Sequence, residues 1–224
     1  MKTTKFIILS TVAILLCSCF TAKQMNVAIT KSVSEDVIKN VQVSDSNVVL
    51  NTEKLEQFTP SAKVTTIHYY FIPAIFYWET RDLLRAEVNN RAYINLFTEV
   101  LNKKSKEFNF AEKLHNKKLE ISIEATPNEF FYDLKDVTIA GGYYNYMQHF
   151  LDIYPTNQKL ALSYRITQDM NVVKSGSFST PFNKSAKNDY AWTSSEGVEH
   201  YLKNNRSEFI TASETLIQLI ANEL

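Results

Sequence analysis

Hydrophobic and polar positions change rhythm several times along this chain, and each change marks an element. Phe6 to Leu16 is apolar except for Ser10 and Thr11. Residues 20 to about 36 are polar with no strong period and read as a tether, with Ser32 to Glu35 at capping-box spacing for a very short helix. Val37–Val43 and Asn47–Leu50 read as short strands in an irregular lead-in that runs to residue 63. Val64–Phe71 is β-branched and aromatic and reads as a strand ended by Pro73. From Asn90, a plausible N-cap, the positions Tyr93, Leu96, Phe97, Val100, Leu101 and Phe108 trace one helical stripe. Leu119–Ala125 alternates strictly, and Glu129–Ile139 follows as a second strand before Gly141-Gly142. Lys159–Gln168 alternates again and turns at Asp169-Met170-Asn171 into Val172–Thr180. Thr193 with Glu196 opens a last helix whose stripe includes Leu202, Phe209, Leu216 and Ile220, with a division expected at Asn204-Asn205.

The order β-α-β-β-β-β-α predicts an α+β fold. The expected form is a single two-layer domain over residues 64–224, an antiparallel-rich sheet with two helices packed on one face. No internal repeat and no second domain is visible.

Composition narrows the classes. The chain has 24 basic and 24 acidic side chains, so it lacks the basic excess of a nucleic-acid binder. Hydrophobic residues are 45% of the total, which is a globular and not a disordered balance.

The amino-terminal segment gives an address. Lys2 and Lys5 precede an apolar run too short to span a bilayer as a helix, which needs about 20 residues. Leu16-Cys17-Ser18-Cys19 follows and resembles the bacterial lipobox. That resemblance implies removal of residues 1–18, diacylglycerol on the Cys19 sulfur and acylation of its new amino group. No Asp follows Cys19 and no acidic run follows it. By the same resemblance the protein is expected in the outer membrane, lipid-anchored and facing the periplasm. Both cysteines are then consumed, leaving no disulfide, Cys ligand or Cys nucleophile.

A lipidated Cys, a polar lead-in, then strand, helix, strands and a last helix is similar in plan to the small auxiliary lipoproteins of envelope lipid and lipopolysaccharide transport. The plan covers residues 64 to 224 and carries no diagnostic motif, so only Cys19 has a role by resemblance. Low Gly with high Asn, Lys and Tyr also looks like a lipoprotein of a Bacteroidota-type genome.

Signatures of chemistry are sparse. His68, His115, His149 and His200 lie at least 34 residues apart, so there is no local metal-ligand spacing. Gly-x-Ser-x-Gly and Ser-x-x-Lys are absent, and four glycines make no phosphate-binding loop. Glu120 and Glu124 share a strand face at roughly 13 Å, wider than glycosidase geometry. No catalytic residue, metal or cofactor is therefore expected.

Two features remain. Aromatic residues crowd two regions expected to be loops, with Phe76, Tyr77 and Trp78 after Pro73, and Tyr143, Tyr144 and Tyr146 after Gly141-Gly142. Pinning of loops onto the core explains such residues, and so does a ligand or partner surface. Lys103, Lys104 and Lys106 head a basic cluster near a helix end, where cations favour the helix dipole or contact anionic lipid. The leading expectation is a non-enzymatic subunit of an envelope transport or assembly complex, with an envelope protein as partner. The alternative is a stand-alone glycan- or lipid-binding lipoprotein, and a hydrolase with a dispersed site ranks third.

Overall fold

The computed structural model describes residues 22–55, 62–72, 75–141, 144–156, 158–188 and 194–224. The lipobox with Cys19, together with Tyr143 and Trp192, lies outside the described residues. The elements run α1 (Ala22–Ile38), β1 (Val48–Asn51), β2 (Ala62–Ile72), β3 (Ile75–Glu87), α2 (Asn90–Glu107) and α3 (Phe110–Leu114). Then come β4 (Lys117–Ala125), β5 (Glu129–Gly141), β6 (Tyr144–Pro155), β7 (Gln158–Gln168), β8 (Asn171–Phe182), β9 (Ala186–Asn188) and α4 (Ser194–Glu223).

The fold is α+β, but its strands form two sheets instead of one. Strands β1-β4-β7-β8 make a mixed sheet in which β1 is parallel to β4 and the others are antiparallel. Strands β2-β3-β5-β6-β9 make an antiparallel sheet whose last member is only three residues long. The chain crosses from one sheet to the other at Thr126-Pro127-Asn128. Proline has no N–H to continue a ladder, so β4 ends there, and Asn128 offers its carbonyl to the Val88 N–H at 2.7 Å.

Three substantial helices cover the strands where two were expected. The segment read as a tether is helical from Ala22, with Met25, Ala28, Ile29 and Asp36 buried at helical spacing. Of the expected strand Val37–Val43, the first two residues end α1 and residues 39–43 are irregular. Asn95 fastens this region by donating from Nδ2 to the carbonyls of Asp36 and Lys39, at 2.6 and 2.7 Å. Helix α2 is capped by Asn89, one residue earlier than expected, whose side chain accepts from the Arg91 N–H at 2.9 Å.

Helix α4 is continuous over 30 residues and does not divide at Asn204-Asn205. Asn205 is buried and accepts a hydrogen bond from the Tyr93 hydroxyl at 2.7 Å, which turns an expected break into a bolt to α2.

Helices α1, α2 and α4 run in the same direction. Lys31 meets Glu199 at 2.8 Å and Asp36 meets Arg206 at 2.9 Å, which sets α1 parallel to α4. Tyr93 meets Phe209 and Lys103 meets Glu214, which sets α2 parallel to α4 as well. Beneath them the core joins both sheets: Leu84, Phe130, Tyr132 and Ile153 from one, and Leu119, Ile121, Leu162 and Phe182 from the other. No helix among the described residues is long and apolar enough to cross a membrane.

Candidate interaction surface

One end of the antiparallel sheet extends past the helices that cover the rest of it. Strands β3 and β5 have 13 residues each, about 43 Å at 3.3 Å per residue. Only one half of this sheet lies under helices. Leu84, Ala86, Phe130, Tyr132 and Ile153 are buried, whereas Val64 to Tyr69 along β2 and Asn145 to Met147 on β6 are exposed. The exposed half forms a projecting β-arm.

Register shows what the arm brings together. Tyr69, Trp78, Thr138 and Met147 stand side by side across four strands. The next row toward the hairpin ends contains Tyr77, Ile139 and Tyr146, with Tyr70 at the β2 position. Residues opposite each other share a face and successive rows alternate. Phe76 and Trp78 therefore lie on the helix-bearing face, whereas Ile75, Tyr77, Ile139 and Tyr146 lie on the other.

The two aromatic groups, some 65 residues apart in sequence, thus meet at one end of one sheet. They are not in loops, as the sequence reading had it. Phe76, Tyr77 and Trp78 belong to β3, and Tyr144 and Tyr146 belong to β6. Strand pairing through β5 places them there, a long-range fact that local spacing does not carry.

The arm has a chemical gradient along its length. Near the helix layer, the outer face carries a ladder of ion pairs. Arg85 contacts Glu129, Arg81 grips both Asp133 oxygens at 2.8 and 2.5 Å, and Lys135 meets Glu79 at 3.1 Å. Burial pushes the Glu79 carboxyl up, but hydrogen bonds from Lys135 and Tyr77 outweigh it and hold the group below its ordinary value. The bond to Asp133 holds the Arg81 guanidinium firmly charged, above its ordinary value. On the helix-bearing face His149 meets Asp136 at 2.6 Å.

Beyond the Glu79 row the charges stop. Tyr69 to Trp78 and Val137 to Met147 contain no Asp, Glu, Lys, Arg or His. Tyr69 is 74% exposed, Phe76 55%, Met147 48% and Tyr146 37%.

Among the described residues strand β2 forms an edge of this sheet, at the end of its strand order. Its eleven residues contain no proline, and Val64, Thr65, Thr66, Ile67, His68 and Tyr69 are all exposed. A β-branched, aromatic run followed by Pro73 reads from sequence as a strand that stops there or continues only as an edge, and β2 does stand at an edge.

The lysine candidates sit elsewhere. Lys103, Lys104 and Lys106 are at the carboxyl end of α2, the end of the helix layer farthest from the start of α1. Lys104 pairs with Glu107 at 2.9 Å and lies over the Phe108 ring, and Lys103 meets Glu214 at 3.5 Å. Of the two glutamates on β4, Glu124 is engaged by Lys54 at 2.7 Å and by the Ser163 hydroxyl at 2.5 Å. Among the described residues no cluster of His, Cys, Asp and Glu has the arrangement of a metal site.

Comparison with protein-family models, with curated proteins and with solved structures finds no match.

Proposed function

We propose that this protein is a lipid-anchored component of a bacterial cell envelope, held in the outer membrane by acylated Cys19 with its domain in the periplasm. It works by binding, as an auxiliary or assembly subunit of an envelope transport or biogenesis complex. The observation that carries this reading is the β2 edge, which no described strand pairs with on its outer side. Sheet edges in stable soluble proteins are shortened, charged, bulged or covered, because a free row of N–H and C=O groups is a template for another strand. Eleven residues of regular, proline-free edge with exposed β-branched side chains fit strand addition by a partner, where main-chain bonds supply affinity.

The test is a photo-cross-linking residue at Thr66, installed in cells. A single discrete protein adduct is expected, and Ile67→Pro should abolish it by removing a ladder donor. A clean Thr66 probe with no protein adduct would defeat the reading. Cys19→Ala should leave an unprocessed protein that takes up no fatty-acid label.

A second reading has its own support. A cleft of about 740 Å³ opens between β8 and α4, lined by Thr180, Asn183, Tyr201, Ser207, Glu208 and Thr211. The hydroxyl, amide and carboxylate groups of this lining suit a glycan, in keeping with a stand-alone binding lipoprotein.

A further inference from the structure

We infer that the uncharged end of the β-arm docks into the lipid–water interface of the membrane that holds the anchor. The inference rests on the lipid-anchor reading above and names a second, non-covalent contact with the same bilayer.

Direction comes first. Helix α4 has Gly197 against Leu151 and Ile153, and four residues later Tyr201 packs on Phe130. Phe130 pairs with Pro155, farther from the hairpin ends than Leu151. So α4 runs away from the arm tip. Helix α1 is parallel to α4, with Lys31 beside Glu199, and so its own start points toward the tip. Ala22 lies nine residues before Lys31, about 13 Å farther in that direction. Three more peptide steps, up to about 10 Å, reach Cys19. The start of α1 and the tip thus face one way, with Cys19 within those three steps of it, and the lysines at the end of α2 face the other.

Chemistry comes second. The uncharged rows from Trp78 to Ile75 span about 10 Å along the strand, close to the depth of the headgroup and acyl boundary. Tyr and Trp concentrate at that boundary because each has an apolar body and a polar atom that stays wet. The ion-pair ladder begins where this band ends.

Two-sidedness decides between a bilayer and a protein. Phe76 and Met147 are exposed on one face of the sheet, and Ile75 and Tyr146 on the other. A protein that covers one face leaves the opposite one in water. A lipid interface surrounds the tip on both.

The test uses the mature protein carrying Trp192→Phe, so that Trp78 is its one tryptophan. It is reconstituted in vesicles of phosphatidylethanolamine with a minor share of phosphatidylglycerol, with and without brominated acyl chains. Trp78 emission is expected to shift blue on vesicle addition and to fall roughly twofold with brominated lipid, as for a ring at the acyl boundary. Phe76→Ser with Tyr146→Ser and Met147→Ser should remove the quenching and leave circular dichroism unchanged. The mass of the amino-terminal peptide reads acylation independently. Acylated protein whose Trp78 is unquenched overturns the docking and leaves the anchor standing. Unacylated protein whose Trp78 is quenched removes the anchor and sustains the docking. A blue shift that follows protein concentration without vesicles identifies self-association and overturns the proposal.

Discussion

Removal of the Asp36 carboxylate tests whether α1 belongs to the fold. Asp36 accepts from Arg206 Nε at 2.9 Å and from Arg206 Nη2 at 3.1 Å, and Lys39 lies 3.5 Å away. Its side chain is 7% exposed, whereas that of Arg206 is 44% exposed. Breaking a fully buried pair costs about 3–5 kcal/mol. Here water screens the arginine side, which moves the pair toward the surface value of about 1 kcal/mol or less. Asp36→Ala should therefore lose about 2 kcal/mol. Arg206→Ala should cost at least as much, because it strands a buried carboxylate with Lys39 alone. The double variant should fall short of the sum by about 1–2 kcal/mol. At this chain length 2 kcal/mol is about 4–8 °C in Tm. Urea unfolding of the four proteins, with m-values checked for constancy, measures the cycle. Asp36→Ala within about 0.3 kcal/mol of the parent, with additive behaviour, would refute the docking of α1 on α4.

Three further outcomes follow from the same geometry. Met25→Ala empties a fully buried site in α1 and should cost about 2–5 kcal/mol in urea unfolding; a surface-like value would place α1 outside the core. Gly176→Ala sets a Cβ 2.7 Å from the Tyr164 ring, which Phe178 stacks at 5.7 Å, and should cost about 1–3 kcal/mol by the same measurement. Hydrogen bonds from Lys54 and Ser163 hold the Glu124 carboxyl below its ordinary value of 4.5, so its contribution is full above that pH and lost as pH falls through the lowered value. Glu124→Gln should lower the urea midpoint at neutral pH and converge with the parent in acid.

The sequence disclosed those elements whose pattern is set locally. Strands β4 and β7 alternate cleanly, β8 follows as the hairpin partner of β7, and the Asp169-Met170 turn between those two has both residues in the left-handed region, at φ 48° and 64°. The stripes of α2 and α4 were equally legible. Three features were not. The stripe of α1 carries Asp36 at a core position, and its main partner is Arg206, 170 residues away. Strands β3 and β6 mix aromatic and polar residues without a period, because the arm is exposed on both faces and neither face demands a uniform side chain. The split into two sheets depends on partner choice, β1 with β4 and β3 with β5, which no local rhythm encodes. The candidate residues were visible one by one. The meeting of the β3 and β6 aromatics at one tip was not, since it follows from register across β5.

The length of α4 has a kinetic consequence. At 1.5 Å per residue it reaches about 45 Å, from Leu151 on one sheet to Lys174 on the other. It also supplies the partners of α1 and α2. A chain emerging amino end first, from a ribosome or through a translocation channel, exposes both sheets and two helices before the segment that seals them arrives. Most of the burial is then gained in one late step. The emerging chain stays unsealed and threadable until that step, and long-lived exposure of β2 meanwhile makes it a client for a holding chaperone.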